Sequence, residues 1–285
     1  MPKIRGRKKS ILVIMLAILV GVVIYLFFMS EKAIAPTEGN ALVLPSAIAT
    51  ATSTSSGKYQ DISDNQVEAA VMMYHHIGSL PSGADDIRKG LTVSKEEFDS
   101  QVKYLTENGY NILTLGQLDK AIENKKVPEK IAVLTFDDGY DDNFSEALPI
   151  LKKYKVVGTF FIISSKVDTS EYMSRDQIKE LAKAGNEIGS HSATHPSLDK
   201  SKGAQLEKEV KKSKEDLEAI SETPIISFCY PAGKYNDETI KALSDAGYKI
   251  AVTTHGSTGT LATDKLLEIP RYRISANMSF SALFR

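Results

Sequence analysis

The sequence predicts an α/β protein, a full or partial (β/α) barrel preceded by an N-terminal transmembrane helix and a flexible linker. Three observations carry this prediction. From about residue 67 onward, short apolar runs alternate with amphipathic helical stretches, the pattern of a parallel sheet covered on both faces. Three helical stretches end alike on a glycine before a strand, at Leu105 to Tyr110, Leu181 to Asn186 and Leu243 to Tyr248, so the chain is built from similar units without a fixed-period repeat. Their number suits a barrel better than a short open sheet. Finally, an uncharged run over residues 11–29 follows a start crowded with Lys3, Arg5, Arg7, Lys8 and Lys9.

As a helix that run would be roughly 28 Å long, close to the ~30 Å hydrocarbon core of a bilayer. It exceeds the ~7–15 residues usual for the apolar part of a signal peptide, although Ala33-Ile34-Ala35 has the small-x-small form of a cleavage site. An uncleaved anchor is favoured, with residues 1–10 as a cytoplasmic basic tail and the rest outside. Cleavage would instead release a secreted protein. Residues 30–66 are rich in Ala, Ser, Thr and Pro and bury too little to offset their ordering entropy. They are expected to be a flexible linker, leaving residues 67–285 as the folded domain.

Within that domain, Val71 to Tyr74 reads as a strand ending at His75-His76. Ser94 and Glu97 have the spacing of a capping box, opening a helix that stops at Asn108-Gly109. A strand at Ile112–Leu115 and a helix around Gly116–Glu123 lead to the central strand, Ile131–Phe136. A helix over Asn143–Tyr154 precedes a strand at Gly158–Ile163, and Ser174 with Gln177 starts the next helix, which Gly185 ends. The helix from Lys202 to Ile220 is heavily charged but aligns Leu206, Val210, Leu217 and Ile220, so its Lys and Glu are expected on a solvated outer face. After Phe228 to Gly233 come a helix from Asp237, a strand at Lys249–Val252 and a last strand near Leu266–Ile269.

The net charge of −1 suggests no nucleic-acid partner, and a monomer is expected. Cys229 is the only cysteine, so no intrachain disulfide is possible. Lying within an apolar run, it is expected to be buried and inert.

The chemistry concentrates at predicted strand ends. Thr135-Phe136-Asp137-Asp138-Gly139 takes an apolar strand into two carboxylates and a glycine. Alone this is ordinary turn chemistry. Adjacent strand residues point to opposite sides, so one carboxylate can hold a cation while the other stays free to move protons. His191 and His195 stand four apart. If the segment is helical, both rings share a face; if it is a loop, Gly189 and Pro196 keep it compact. Two imidazoles, one carboxylate and an open position form the ligand set of a hydrolytic zinc site. The same set binds non-haem iron, generally on all-β folds unlike this one.

Thr135 to Gly139 and His191-Ser192-Ala193-Thr194-His195 resemble the first two signature motifs of the polysaccharide deacetylases, carbohydrate esterase family 4, over roughly residues 67–273. The resemblance implies a distorted (β/α)7-type barrel that removes acetyl groups from N-acetylated sugars of peptidoglycan, poly-N-acetylglucosamine or chitin-like polymers. It also implies a divalent metal, zinc foremost, held by Asp138, His191 and His195, with Asp137 as general base. Pro231-Ala232-Gly233 matches the third motif and makes the N–H of Ala232 the oxyanion donor. Two departures stand out. The third motif's arginine is replaced by Cys229, and the C-terminal leucine-x-histidine is absent. Tyr74-His75-His76 and Pro270-Arg271 instead resemble a permuted branch typified by poly-N-acetylglucosamine deacetylases. By that resemblance His75 is the general acid and Arg271 replaces the missing arginine beside Asp137. The resemblance gives His76 no role, and it is expected to be a packing residue. A non-catalytic glycan-binding wall protein with a vestigial metal site is the alternative.

Overall fold

The computed structural model describes residues 58–284. The expected tail and anchor, and most of the expected linker, lie outside them. Among the described residues no helix is long and apolar enough to cross a membrane.

Seven parallel strands form a closed ring in sequence order: β1 (Gln66–Tyr74), β2 (Ile131–Phe136), β3 (Thr159–Ile162), β4 (Glu187–Ser190), β5 (Ser227–Cys229), β6 (Ile250–Gly256) and β7 (Ile269–Arg273). β7 pairs with both β6 and β1, and β1 pairs with β2, which closes the barrel. The distortion lies at two seams. Asn111–Leu113 pairs with the first half of β2 while β3 takes the second half. Thr260–Ala262 runs antiparallel along the start of β1 while β7 pairs further on.

Alternation along β2 sorts its side chains. Ile131 and Val133 belong to an apolar cluster with Val71, Cys229, Val252 and Ile269. Ala132, Leu134 and Phe136 pack with the surrounding helices. The first cluster therefore fills the bore, and Leu115 and Leu118 of the helix Leu115–Glu123 plug one end of it. Strands buried on both faces explain the continuous apolar runs.

The local signals at helix ends are borne out. Ser94–Glu97 and Ser174–Gln177 are reciprocal capping boxes, and Thr114–Gln117 is a third. The three glycine stops share one geometry. Tyr110, Asn186 and Tyr248 donate back to Leu105, Leu181 and Leu243, and each preceding glycine sits at positive φ, which glycine adopts without a Cβ penalty.

Several expectations need correction. The helix expected over 143–154 opens with a π turn, Asn143–Ala147, before α-helix at Leu148–Tyr154. The charged helix contains a second π turn, Lys208–Lys212, between Gly203–Glu207 and Ser213–Ser221. The last strand is not at 266–269; it runs through Pro270 to Arg273. Proline ordinarily ends a ladder, but here Val252 faces Ile269 and Gly256 faces Arg271, so Pro270 lies opposite a bulge in β6. Finally, Gly189 does not tighten a loop. It lies within β4, where a Cβ would stand 2.6 Å from both Phe161 and Ser227. Residues 58–66, grouped by composition with the linker, pack onto the barrel: Tyr59–Gln60 pairs with Val127–Pro128, and the Gln60 side chain bonds both Glu68 and Pro128.

At the foot of the barrel, Glu187 Oε2 accepts from the Gly116 N–H at 2.7 Å and from Thr159 Oγ1 at 3.2 Å, while its Oε1 is sealed from solvent. Burial raises its pKa, and these hydrogen bonds oppose the rise without cancelling it. A raised folded-state pKa gives a contribution to stability that is complete below the unfolded value and is lost as pH rises through the folded one. Glu187→Gln keeps an acceptor for Gly116 and should therefore gain on the wild type as pH rises from about 4.5 to neutrality. Thermal melts of both proteins across that range test this; a difference in melting temperature that is flat or shrinks with pH refutes it.

Candidate active site

The C-terminal ends of the strands gather the candidate residues on one rim, the end of an α/β barrel where active sites form. β2 carries Thr135 inward. Asp137 continues the inward alternation just past its end and is 2 % exposed. The chain then turns at Asp138 and Gly139, both at positive φ (73° and 82°). For a non-glycine residue that backbone state is strained, and here it swings Asp138 away from Asp137 towards the histidines.

Asp138 Oδ1 lies 3.4 Å from His191 Nε2 and 3.5 Å from His195 Nε2. The three donor atoms all fall within 4.8 Å of one another. Donors bound at about 2.0–2.2 Å in a tetrahedron stand about 3.3–3.6 Å apart, so the set fits a divalent cation such as zinc. The tautomer also fits. His191 Nδ1 is 2.7 Å from the Cys229 carbonyl oxygen, which can only accept, so Nδ1 carries the proton and Nε2 presents a lone pair. The segment joining the histidines is a loop, not a helical turn. Ser192 and His195 have positive φ, and the His195 N–H donates to Ser192 Oγ. His195 remains partly open to solvent.

Asp137 faces a different partner. Arg271, fully buried in β7, donates Nη1 to Oδ1 and Nη2 to Oδ2, both at 2.7 Å. Its Nη1 also donates to Thr135 Oγ1 at 2.8 Å and its Nε to the Thr253 carbonyl at 2.9 Å. Burial alone would raise the Asp137 pKa, but the guanidinium outweighs it and holds the carboxyl well below the usual range. Arg271 thus occupies the place at Asp137 that the resemblance gave it.

Cys229 is buried as expected, but it touches the site. Its Sγ lies 3.4 Å from Asp137 Oδ2 and 3.2 Å from Arg271 Nη2. Burial pushes the thiol pKa up, with Arg271 opposing, which keeps it a neutral donor.

His75 Nε2 stands 3.8 Å from Asp137 Oδ2. Burial lowers its pKa, and the pull of Asp137 and Asp138 does not restore it. Asn143 Nδ2 holds the His75 carbonyl at 2.7 Å. His76 turns away, with Nδ1 2.6 Å from Asp142 Oδ2 and its ring stacked on Tyr140 at 3.6 Å. Ala232 has φ 51° within the turn Pro231–Gly233, directly after β5 on the same rim. Asp142 and Asn143 were missed in the sequence. Only their nearness to Asp138 in the chain marked them.

A parallel barrel with an acid–imidazole cluster at its C-terminal rim is the build of an α/β-barrel enzyme. A polysaccharide deacetylase family model matches residues 124–251. A Bacillus subtilis protein, YxkH, named for polysaccharide deacetylase, is 37% identical over 216 residues, 74% of this chain and 73% of its own length. The poly-beta-1,6-N-acetyl-D-glucosamine N-deacetylase of Staphylococcus epidermidis is 28% identical over 73% of this chain and 75% of its own. The Streptococcus pyogenes deacetylase PplD, solved with acetate, superposes with a TM-score of 0.70 at 30% identity, covering 76% of this chain and 97% of its own. The chain belongs to the polysaccharide deacetylases, hydrolases of non-peptide carbon–nitrogen bonds.

Removing one partner of a buried ion pair costs about 3–5 kcal/mol. Arg271→Met should destabilise the protein by that order, and Arg271→Lys by less. Denaturant melts measure both; a stable Arg271→Met would mean that the pair is dispensable.

Proposed function

We propose that this chain is a metal-dependent deacetylase that hydrolyses N-acetyl groups of an extracellular N-acetylglucosamine-containing polysaccharide. The observation that carries the reading is the adjacency of two differently partnered carboxylates: Asp138 against two imidazoles, and Asp137 against a guanidinium. Asp138, His191 and His195 would hold the cation, with zinc the ion that best suits two imidazoles and a carboxylate. Such an ion polarises the amide carbonyl and makes water acidic enough to lose a proton near neutral pH.

Asp137 then serves as general base. It is ionised, and Arg271 fixes both of its oxygens, so it meets the attacking water in one orientation. His75, across a 3.8 Å gap from Asp137, returns a proton to the leaving amine. Burial makes its imidazolium a stronger acid than a solvated one. The Ala232 N–H supplies a donor for the developing oxyanion. The net reaction turns water and amide into acetate and amine. The named activities of the Staphylococcus epidermidis relative and of a Bacillus cereus peptidoglycan-N-acetylglucosamine deacetylase, 34% identical over 122 residues, support an N-acetylglucosamine polymer. The basic start and the uncharged run over residues 11–29 support a single-pass anchor with the domain outside.

Asp137→Asn should keep its metal by elemental analysis while acetate release falls about 10²–10⁴-fold, whereas Asp138→Ala should lose both. Normal turnover by Asp137→Asn would remove the base assignment. His75→Ala should lower kcat far more than it raises KM, and equal damage from a His76 variant would mean that the wrong ring was chosen. Chelation should abolish acetate release from peptidoglycan, chitin oligomers or poly-N-acetylglucosamine, and Zn2+ should restore it without oxygen or reductant. Activity that survives thorough chelation refutes metal dependence.

A further inference from the structure

Both π turns in the described residues lie beside a functional loop. A π turn inserts one residue into a helix, rotating the residues beyond it and freeing a backbone carbonyl, and such turns gather at functional sites. In Asn143–Ala147 the buried polar residue is Asn143, which holds the His75 carbonyl. In Lys208–Lys212 it is Glu209, 3 % exposed, although Glu207, Lys208, Lys211 and Lys212 around it face solvent.

Glu209 spends its acceptors on the loop between the two histidines. Oε2 takes the Thr194 N–H at 2.7 Å, and Oε1 takes the Thr194 hydroxyl at 2.6 Å. Its own carbonyl takes the Ala193 N–H at 3.1 Å and the Ser213 hydroxyl at 2.8 Å. Ala193 and Thr194 sit between His191 and His195 in a loop with positive φ at Ser192 and His195. Such backbone states persist only where the surroundings over-determine them. Hydrogen bonds to a charged acceptor are the stronger kind, and Glu209 lends them to this loop from a neighbouring helix.

We infer that Glu209 is a positioning residue for the cation triad: by clamping Ala193 and Thr194 it sets the separation and aim of His191 and His195. This rests on the reading that Asp138, His191 and His195 hold a divalent cation. Outer-shell partners of ligands are worth about 10–100-fold in metal affinity, and Glu209 reaches the ligands through the backbone that joins them.

The test measures Zn2+ affinity by competition with a chromogenic chelator, and the visible spectrum of bound Co2+, on the full chain. Glu209→Ala should bind Zn2+ about 10–100-fold more weakly and alter the Co2+ spectrum. Glu209→Gln keeps an acceptor for the Thr194 N–H and should lose less. Val102→Ala, in the helix Lys95–Glu107, should lower the melting temperature and leave metal affinity unchanged. A folded Glu209→Ala with wild-type affinity and spectrum overturns the inference, as does an equal loss in Val102→Ala. If Glu209→Ala does not fold, Thr194→Val decides, because it removes only the hydroxyl contact. A few-fold loss supports the clamp, and unchanged affinity overturns it. Wild-type protein that binds neither ion would instead defeat the metal reading, and the clamp with it.

Discussion

The site depends on a two-pronged ion pair inside the barrel. Asp137 and Arg271 are both buried, and either charge alone in the bore would be costly. Paired through two short bonds, they make a neutral floor, with Thr135 and the Thr253 carbonyl taking further guanidinium N–H groups. Beside that floor, Asp138 is left to the imidazoles. One turn of chain at positive φ thus separates two neighbouring carboxylates into different electrostatic settings, and burial, charge and hydrogen bonding then tune each separately.

Strand register makes this possible. Inward alternation along β2 runs Ile131, Val133, Thr135 and Asp137, passing from apolar plug to polar floor. Along β7 it runs from Ile269 to Arg271 in the same way. Cys229 ends the corresponding run on β5. A small neutral thiol there leaves room for the guanidinium arriving from β7, with Nη2 resting 3.2 Å from its sulfur.

Much of this was legible in the sequence because the signals are local. Capping boxes, glycine stops and doubly buried strands need only a few adjacent residues. The Asp-Asp-Gly turn and the His191–His195 pair are equally compact, and the structure brings them together. What escaped is what depends on distant packing. The last strand was expected near Leu266–Ile269 but continues past Pro270, and the bulge that accommodates this proline is a property of the pairing with β6. Gly189 reads as loop chemistry, but its reason is the closeness of Phe161 and Ser227. Glu209 is one acid in a charged helix, and only the π turn distinguishes it from solvated neighbours.

The closure of the ring has one more consequence. Asp137 stands just past the end of the second strand, whereas its counter-charge comes from the seventh, the last barrel strand to emerge during synthesis. Until that final segment docks between the first and sixth strands, Asp137 lacks the group that keeps it ionised and aimed. A chain clipped ahead of Ile269 would lose both the strand that closes the ring and the guanidinium that neutralises a buried carboxylate.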